Sequence, residues 1–411
     1  MRSFLQRLGP GLLYAGAAVG VSHLIQSTRA GADYGFYMVA VVLIANVIKY
    51  PFFKAAPIFV VKNGISLLEG FYRIGAWSII LFYTVTLLTL FSVQAVVTLI
   101  TASILANVFQ LSLPLWQISG AILLLCTLIL LIGRFRFLNR LIKWVIVLLS
   151  VTSLVTLIAA IINYSTPEIT ENDFSFLNDT DVFFLIALVG WMPAPFDIAI
   201  FHSEWTLAEK EERKELSFKR SNFDFKMGYW GTTLLAMVFV LLGSLLLRGR
   251  GVELPDSGVA FAGEIIGMYT FALGSWAFVF VAVAALTTMF STTLTILDAY
   301  PRVLSKAMVL SIPKLNGKQY FLYFMWLVLI IIGALFVLVF KMQNMKQMVD
   351  FATTISFLTA PILATLIYVA VRRFSPSIYS NFEKGLAILA LIFLYCFSAY
   401  FLWISANTTN L

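Results

Sequence analysis

The sequence predicts an all-α integral membrane protein of about eleven transmembrane helices, built from two inverted repeats of five helices and one extra helix. Three observations predict this class. Hydrophobic residues make up 61% of the 411 positions and charged residues only 12%, unlike the composition of soluble domains. Apolar runs long enough to cross a hydrocarbon core of about 30 Å recur along the whole chain. Two of these runs, five apart, are interrupted by residues that disfavour a continuous helix.

The apolar runs define the predicted membrane spans, and no stretch between them is long enough for a soluble domain. Spans one to eleven are predicted at residues 10–28, 36–58, 75–106, 115–133, 141–163, 181–203, 226–247, 270–296, 319–341, 347–371 and 385–408. Residues 1–411 are therefore expected to form a single transmembrane transporter domain. Its inverted repeats are expected at about 10–163 and 181–371, with 385–408 as the extra helix.

The cysteines and the N-terminal stretch have simple interpretations. Cys126 and Cys396 lie inside apolar runs, where packing is the expected role and a disulfide is not expected. The opening residues share a basic start and an apolar run with secretory signals. The patterned polar segment that follows favours a first span that is retained.

Charge placement predicts the orientation of the chain. With a cytoplasmic N-terminus, most of the 28 basic residues fall in segments predicted to lie inside, among them Arg372 and Arg373 after span ten. The segment at residues 165–181 is acidic and falls outside. The positive-inside rule thus favours a multi-pass protein of the cell membrane with its N-terminus in the cytoplasm and its C-terminus outside. Topology explains the net charge of +8 without nucleic acid as a partner.

Two spans contain a predicted break. In span six, Pro193 and Pro195 lie within the stretch GWMPAPFDIAIFHSEW and remove backbone donors from the middle of the helix. Span one carries GAAVGVSHLIQ, Gly16 to Gln26, which is poor in strong helix formers at its middle. Discontinuous helices at equivalent positions of two oppositely oriented halves are typical of transporters, whose freed carbonyls and helix ends bind the substrate or ion. The sequence therefore predicts a binding site where the two breaks meet.

Polar residues in the broken spans supply the candidate ligands and relays. Asp197 is predicted near the bilayer centre, where a carboxylate is costly and usually functional. His23 and His202 are the two histidines of the chain, and each falls in a broken span. His23, with Ser22 before it and Gln26 one turn later, is a candidate ligand, and a structural hydrogen bond is the alternative. His202 and Glu204 are candidates for a gate or proton relay, and helix-end packing is the alternative.

Lys49 is predicted to lie past the membrane midplane. If span two begins near residue 36, the residue lies about 20 Å from the outer surface at a rise of 1.5 Å per residue. One interpretation is snorkelling, or donation to carbonyls freed by Pro51. The other is a fixed internal cation, paired with Asp197, that holds the empty site closed. Such a pair would disfavour a divalent cation and favour an organic solute as the substrate.

Two further features are less specific. Thr288, Ser291, Thr292 and Thr295 recur at intervals of three and four residues and so share one face of span eight. They predict an oxygen-lined wall or a second cation site, or else hydroxyls that bond back to their own helix. The segment at residues 204–226 balances acids and bases and predicts a solvated amphipathic connector without a chemical role.

Several motifs carry a family resemblance. They are GPGLL (Gly9 to Leu13), AGADYGF (Ala30 to Phe36), LIANV (Leu43 to Val47), then Gly64, Leu67 and Glu69, with weaker echoes in MP and HS of span six, FSTTLT (Phe290 to Thr295) and FLTAPILA (Phe357 to Ala364). With these motifs the chain resembles the Nramp (natural resistance-associated macrophage protein) family of proton-coupled divalent-metal transporters. The resemblance implies a LeuT-like fold, a metal ion as substrate, no enzymatic activity and no cofactor.

The chain departs from the family at the residues that bind metal. Where the family has Asp-Pro-Gly-Asn in span one, this chain has Gly20, Val21, Ser22 and His23. The family's Met-Pro-His of span six aligns with Met192, Pro193 and Ala194, or with Pro195, Phe196 and Asp197. Gln94 and Val97 replace an acidic pair of the proton pathway, and Thr353 replaces a glutamine near the ion.

The candidate site residues fall into three sets. The candidate substrate-binding residues are Gly20, Ser22, His23, Gln26, Met192, Ala194, Asp197 and Thr353. Of these, Asp197 and His23 are the candidate metal ligands. The candidate gate or relay residues are Lys49, His202 and Glu204.

The residues and the resemblance leave two function classes open. The first is a secondary transporter of a divalent cation by alternating access, with Mg²⁺ or Mn²⁺ favoured because oxygen ligands suit hard ions and an imidazole ligand suits manganese. Tight proton coupling is not expected without the acidic pair. The alternative is a small organic solute carried on the same scaffold. An intramembrane hydrolase using His23, His202 and Asp197 is disfavoured because no HExxH-like spacing exists. The lipid bilayer is the expected environment and a monomer the expected state.

Overall fold

The computed structural model describes residues 9–132, 135–163, 174–213, 216–341 and 344–408. Every regular element in these ranges is a helix. Nine of the described helices are long and apolar enough to cross a membrane. They are spans two to five and seven to eleven, at Met38–Asn63, Ala76–Phe109, Leu115–Ile132, Phe135–Asn163, Phe218–Leu242, Ala277–Ser311, Gln319–Lys341, Met345–Phe374 and Asn381–Thr408.

The two remaining spans are the broken ones. Span one consists of a first half at Pro10–Ala18, a π-helical segment at Val21–Ser27 and a second half at Thr28–Tyr34. Span six consists of a first half at Asp179–Trp191 and a second half at Asp197–Arg213. With these two, the described residues give eleven spans, as the sequence predicts. Both breaks also lie where the sequence places them. The sequence predicts unwinding near Gly20 to Ser22 and Met192 to Pro195, and only Ser22 differs clearly, because it lies inside the π-helical segment.

The break in span six follows from its two prolines. Pro193 and Pro195 have no backbone N–H, so the carbonyls one turn earlier in the helix lose their usual donors. The chain leaves the helix after Trp191 and starts a new one at Asp197. A carboxylate in the first turn of a helix is stabilised by the positive end of the helix dipole. The prolines therefore create both a free helix C-terminus and a free N-terminus within one span.

Two predicted boundaries are wrong. Span eight is Ala277–Ser311 and not 270–296, because residues 270–273 end a separate shorter helix, Gly258–Leu273, which stops at Gly274 with a φ of +93° that suits glycine. Residues 204–226 are not a solvated connector. Most of them belong to the second half of span six and to the start of span seven at Phe218, and a half-buried ion pair between Glu209 and Arg220 at 3.6 Å joins the two helices.

Some sequence features lie beyond what the structure describes. Most of the acidic segment at 165–181, on which the predicted orientation partly rests, is outside the described residues. Cys126 is buried and Cys396 exposed, and both are free thiols. The exact limits of the two repeats stay a prediction.

Each broken span packs against a helix of the other repeat. Span one lies along span seven, and span six lies along span two. This crossed arrangement is the one that a pseudo-two-fold axis in the membrane plane produces.

The contact between spans one and seven depends on glycine. A Cβ atom on Gly11 or Gly228 would collide with the backbone of the other helix, and the same holds for Gly31 and Gly243 at the second half of span one. Small residues let helix backbones approach closely in membrane proteins. Span seven therefore contacts span one backbone to backbone on both sides of the break.

Candidate functional site

A small cavity lies between the two breaks. The volume open to the centre of a water molecule is about 20 Å³. This is room for one water molecule or one ion. Its walls come from spans one, three, six and eight, and Ser22 and Thr292 supply the side-chain oxygens. Most other lining groups are aliphatic, including Val97, while Trp191 and Pro195 come from the break in span six. An ion here would depend on backbone carbonyls more than on charged side chains.

Thr292 of span eight contacts the broken segment of span one. Its Oγ1 lies 3.3 Å from the carbonyl of Gly16, 3.5 Å from that of Val19 and 3.1 Å from that of Thr288 in its own helix. A Cβ on Gly20 would lie only 3.0 Å from this Oγ1, so Gly20 gives span eight its access to the break. Thr292 thus shows the hydrogen bond to its own helix that is one of the two roles predicted for the hydroxyls on this face of span eight.

Other hydroxyls on this face differ from Thr292. Thr288 Oγ1 and Ser291 Oγ are buried and have no hydrogen-bond partner among the described residues. Buried polar groups normally find a partner. A second cation site on this face of span eight stays a prediction, and these two oxygens are its candidate ligands.

Ser22 and His23 form one hydrogen-bonded unit. Nε2 of His23 lies 3.1 Å from the carbonyl of Thr232 in span seven, and a carbonyl can only accept, so Nε2 carries a proton. Nδ1 lies 2.8 Å from Ser22 Oγ, which is also 2.9 Å from the carbonyl of Ala18 and 3.4 Å from that of Pro193. Both ring nitrogens are thus engaged by protein atoms. His23 would have to release Ser22 before binding a metal ion.

Gln26 points toward span ten and not toward the cavity walls. Its Nε2 donates to Asp350 Oδ1 at 3.3 Å, while its Oε1 is buried without a partner among the described residues. Asp350 also accepts two hydrogen bonds from Arg29, at 2.7 and 2.9 Å. Arg29 further pairs with Asp33 at 3.3 Å. An ion-pair network thus ties the second half of span one to span ten.

The remaining candidates of spans six and ten lie behind the cavity wall. Met192 and Ala194 are fully buried within the break, but they are not among the residues that line the cavity. The hydroxyl of Thr353 donates to carbonyls of its own helix. The backbone of Thr353 lies so close to Gly190 that a Cβ there would collide with it. The structure thus assigns Thr353 a contact with the broken helix and not with the cavity.

Asp197 begins the second half of span six and is only 2% exposed. Its Oδ1 is buried and has no hydrogen-bond partner among the described residues. A carboxylate oxygen left in this state needs a cation, a proton or a water molecule. Across the described part of the chain, no group of three His, Cys, Asp or Glu side chains lies close enough to hold a metal ion. The assignment of Asp197 and His23 as metal ligands therefore stays a prediction. The described side chains do not add a third ligand of these types beside them.

The predicted pair between Lys49 and Asp197 is wrong. The Lys49 ammonium is buried and donates to the carbonyls of Val189 and Gly190 at 2.6 and 3.0 Å. It also lies 5.3 Å from the centre of the Phe196 ring, a cation–π distance. The physical reason is that the broken helix presents two carbonyls at its negative end, which compete successfully with the carboxylate. Lys49 does donate to freed carbonyls, which was the alternative role. These carbonyls are freed by the break in span six and not by Pro51.

His202 and Glu204 do not form a continuous relay. His202 stacks on Tyr14 at 5.5 Å between ring centres, and neither ring nitrogen has a partner among the described residues. Glu204 pairs with Lys306 of span eight at 2.7 Å. Residues two apart on a helix point in different directions, so these side chains serve different neighbours.

An uncharged seam joins spans three and eight where the resemblance implies an acidic proton pathway. Gln94 Nε2 donates to Thr98 Oγ1 at 3.1 Å and lies 3.4 Å from the carbonyl of Thr293. The hydroxyls of Thr101 and Thr293 are 2.8 Å apart. None of these groups changes its charge near neutral pH.

Sequence reasoning missed Asp224, which anchors the start of span one. Its carboxylate accepts hydrogen bonds from the backbone N–H groups of Gly9, at 3.0 Å, and Gly11, at 2.7 Å. The first N–H groups of a helix have no partner inside the helix, and a carboxylate suits the positive end of its dipole. The Gly-Pro-Gly start of span one could have indicated this cap. Its partner on span seven was not identifiable, because residues 204–226 have no distinctive pattern.

A helical membrane protein with two broken spans, crossed repeats and a cavity at the breaks has the LeuT fold of secondary transporters, and solved structures agree. The manganese transporter of Eremococcus coleocola superimposes with a TM-score of 0.67 at 15% identity, over 95% of this chain and 84% of that one. MhsT, solved with L-phenylalanine, gives a TM-score of 0.63 at 15% identity, over 97% and 98% of the two chains. At such identity the likeness shows the fold alone.

The family model described as natural resistance-associated macrophage protein-like, or Nramp, matches residues 11–405. The chain therefore belongs to the Nramp family. An uncharacterized protein of Pasteurella multocida (strain Pm70) is 33% identical over 365 residues, which are 87% of this chain and 83% of that protein.

Proposed function

We propose that the protein is a secondary transporter that moves a divalent metal cation across the membrane by alternating access. One observation carries the proposal: in a member of the Nramp family, a buried carboxylate oxygen of Asp197 at the break of span six has no hydrogen-bond partner in the part of the chain that the structure describes. A membrane carboxylate in that state is functional by default. A cation arriving at the break would supply its missing partner.

The ligands at the breaks favour a hard ion. Ser22 and Thr292 would contribute hydroxyls from the cavity wall, and the broken spans would contribute carbonyls. Asp197 is not part of that wall and would contribute its carboxylate from the start of the second half of span six. Oxygen ligands suit Mg²⁺ and Mn²⁺ better than softer transition metals. Mn²⁺ is favoured if His23 exchanges its bond with Ser22 for a metal bond. Met192, whose thioether would suit softer metals, lies behind the cavity wall.

Two sets of contacts are suited to control access to the site. At one end of span one, Arg29 pairs with Asp350 of span ten at 2.7 Å. At the other end, Asp224 holds the N–H groups of Gly9 and Gly11. Release of one set at a time would open the cavity to one side of the membrane only. With a cytoplasmic N-terminus, the Asp224 contact lies on the inner side and the Arg29 pair on the outer side.

Uptake into proteoliposomes tests the proposal. Purified protein should accumulate Mn²⁺ or Mg²⁺ along a concentration gradient, and Asp197→Asn should abolish the accumulation. A matched variant, Asp256→Asn, changes a carboxylate that is 66% exposed and should transport normally. If no divalent ion crosses with the wild-type protein, the proposal is wrong. We further expect a monomer that needs no cofactor and catalyses no reaction.

A second candidate is transport of a small organic solute. The apolar lining of the cavity and the buried Lys49 ammonium favour it, and the fold accommodates such substrates, as MhsT with its bound L-phenylalanine shows for that protein. The cavity admits no more than a water-sized group in this conformation, so a solute would require a wider one. Competition of a panel of amino acids and nucleobases against Mn²⁺ uptake separates the two candidates.

A further inference from the structure

The first half of span six ends in carbonyls that lack their usual helical donors: Pro193 has no N–H to offer Val189, whose carbonyl accepts only a longer bond from Met192 N–H at 3.3 Å. The carbonyls of Val189 and Gly190 fall in the last turn, ahead of Pro193 and Pro195. Both oxygens lie within 3.0 Å of Lys49 Nζ. Unpaired carbonyls at the end of a half-helix carry the negative end of the dipole, and in transporters such ends coordinate cations.

No carboxylate neutralises the Lys49 ammonium among the described residues. Its polar contacts are the two carbonyls, and the ring of Phe196 covers it at 5.3 Å. Only 1% of the residue is exposed. A buried ammonium without a counter-ion is costly unless its surroundings supply equivalent negative potential. The two carbonyls and the aromatic face supply that potential, so they form a site built for a positive charge.

We propose that Lys49 is a tethered cation: its ammonium fills a cation site formed by the carbonyls of Val189 and Gly190, and this site binds a free monovalent cation when the ammonium is removed. With the ammonium in place, the end of the first half of span six needs no ion from solution. A substrate cation would then bind at Asp197, at the start of the second half of span six. Only this last consequence rests on the proposed function.

Chemical rescue tests the site without any transport assay. Lys49→Ala removes the propylammonium portion of the side chain and leaves its volume empty. The unfolding temperature of this variant should fall, and n-propylammonium chloride should raise it again in a saturable way, because a ligand that binds only the folded state stabilises it. 1-Propanol, which has the same shape without the charge, should not restore it. The wild-type protein should respond to neither.

Two further variants complete the experiment. Lys49→Met fills the space with an uncharged chain, so its unfolding temperature should be lowered and should not respond to propylammonium. Lys62→Ala removes another lysine of span two, whose ammonium contacts Ser377 Oγ at 2.8 Å near the surface, and should behave as the wild-type protein does. This variant shows whether propylammonium acts on the protein in general.

The proposal is overturned if 1-propanol rescues Lys49→Ala as well as propylammonium does, since packing alone would then explain the residue. It is also overturned if propylammonium gives no rescue. If Lys49→Ala does not fold, Lys49→Met decides, because an unfolding temperature equal to that of the wild type would show that the charge is dispensable. These measurements require no substrate. A failure to transport divalent ions would leave them unaffected.

Discussion

The carbonyl of Thr232 accepts a hydrogen bond from Nε2 of His23 at 3.1 Å, so a residue of span seven meets the break of span one. The other repeat has a matching contact, because Lys49 of span two meets the break of span six through Gly190 at 3.0 Å. In both repeats the unbroken helix of one half thus stabilises the broken helix of the other. The two breaks differ in how this is done, with a neutral ring at one and an ammonium at the other.

The contacts of His23 predict its tautomer. Nε2 should carry the proton and Nδ1 should accept from Ser22. The chain has two histidines, so nitrogen NMR of protein labelled in histidine should show four ring-nitrogen signals, two from each ring, and His202→Asn assigns them. Adding Mg²⁺ should move the His23 Nδ1 signal only if the ring exchanges Ser22 for the metal. An Nδ1–H tautomer at His23 would contradict the hydrogen-bond assignment.

Asp197→Asn should weaken divalent binding strongly and leave the fold intact. Loss of one charged partner in a buried contact costs about 3 kcal/mol, which is about a 100-fold increase in Kd. Calorimetric titration of Mn²⁺ into purified protein measures the change. The unfolding temperature without metal should stay close to that of the wild type, since Oδ1 makes no hydrogen bond to any described residue. Unaltered Mn²⁺ affinity would assign Asp197 a structural role.

Gly228→Ala should destabilise the protein because its methyl group would collide with the carbonyl of Gly11. Overpacking of this kind costs about 1–3 kcal/mol. Gly231→Ala is a matched control in the same helix, where a Cβ has open space and alanine favours the helix. Thermal unfolding should show a clear loss for Gly228→Ala and no loss for Gly231→Ala. Equal behaviour of the two variants would show that spans one and seven do not touch as described.

Metal flux should be weakly coupled to protons. The seam of Gln94, Thr98, Thr101 and Thr293 carries no group that titrates near neutral pH. A pH-sensitive dye inside proteoliposomes should therefore record little acidification during metal uptake. The control is Gln94→Glu, which introduces a carboxyl group into the seam. A metal-driven proton signal in the wild-type protein would instead direct attention to His202, whose ring nitrogens lack partners among the described residues.

Local sequence patterns were sufficient to predict the number of spans and both breaks. Prolines act on their own helix, so Pro193 and Pro195 locate the break in span six without knowledge of any neighbour. Span length is equally local, because it follows from membrane thickness. The boundary of span eight was missed since Gly258–Leu273 and Ala277–Ser311 are both apolar, and only the turn at Gly274 separates them.

The contacts of the site could not be predicted in the same way. The partner of Lys49 is a pair of main-chain carbonyls, and no side-chain pattern reports a free carbonyl at a distance of 140 residues. An opposite charge in the same region therefore suggested Asp197 wrongly. Thr232 and Asp224 were missed for the same reason, because each acts on the backbone or ring of a residue more than 200 positions away.

The order of synthesis gives the anchor at Asp224 a consequence for biogenesis. Gly9 leaves the ribosome 215 residues ahead of the carboxylate that receives its N–H. At 5–20 residues per second this is a delay of roughly 10–40 s. During that time the first half of span one has neither its cap nor the glycine surface of span seven, and a lipid bilayer satisfies no backbone donor. Span one is therefore expected to remain with the insertion machinery until span seven is translated, and only then to take its place in the membrane.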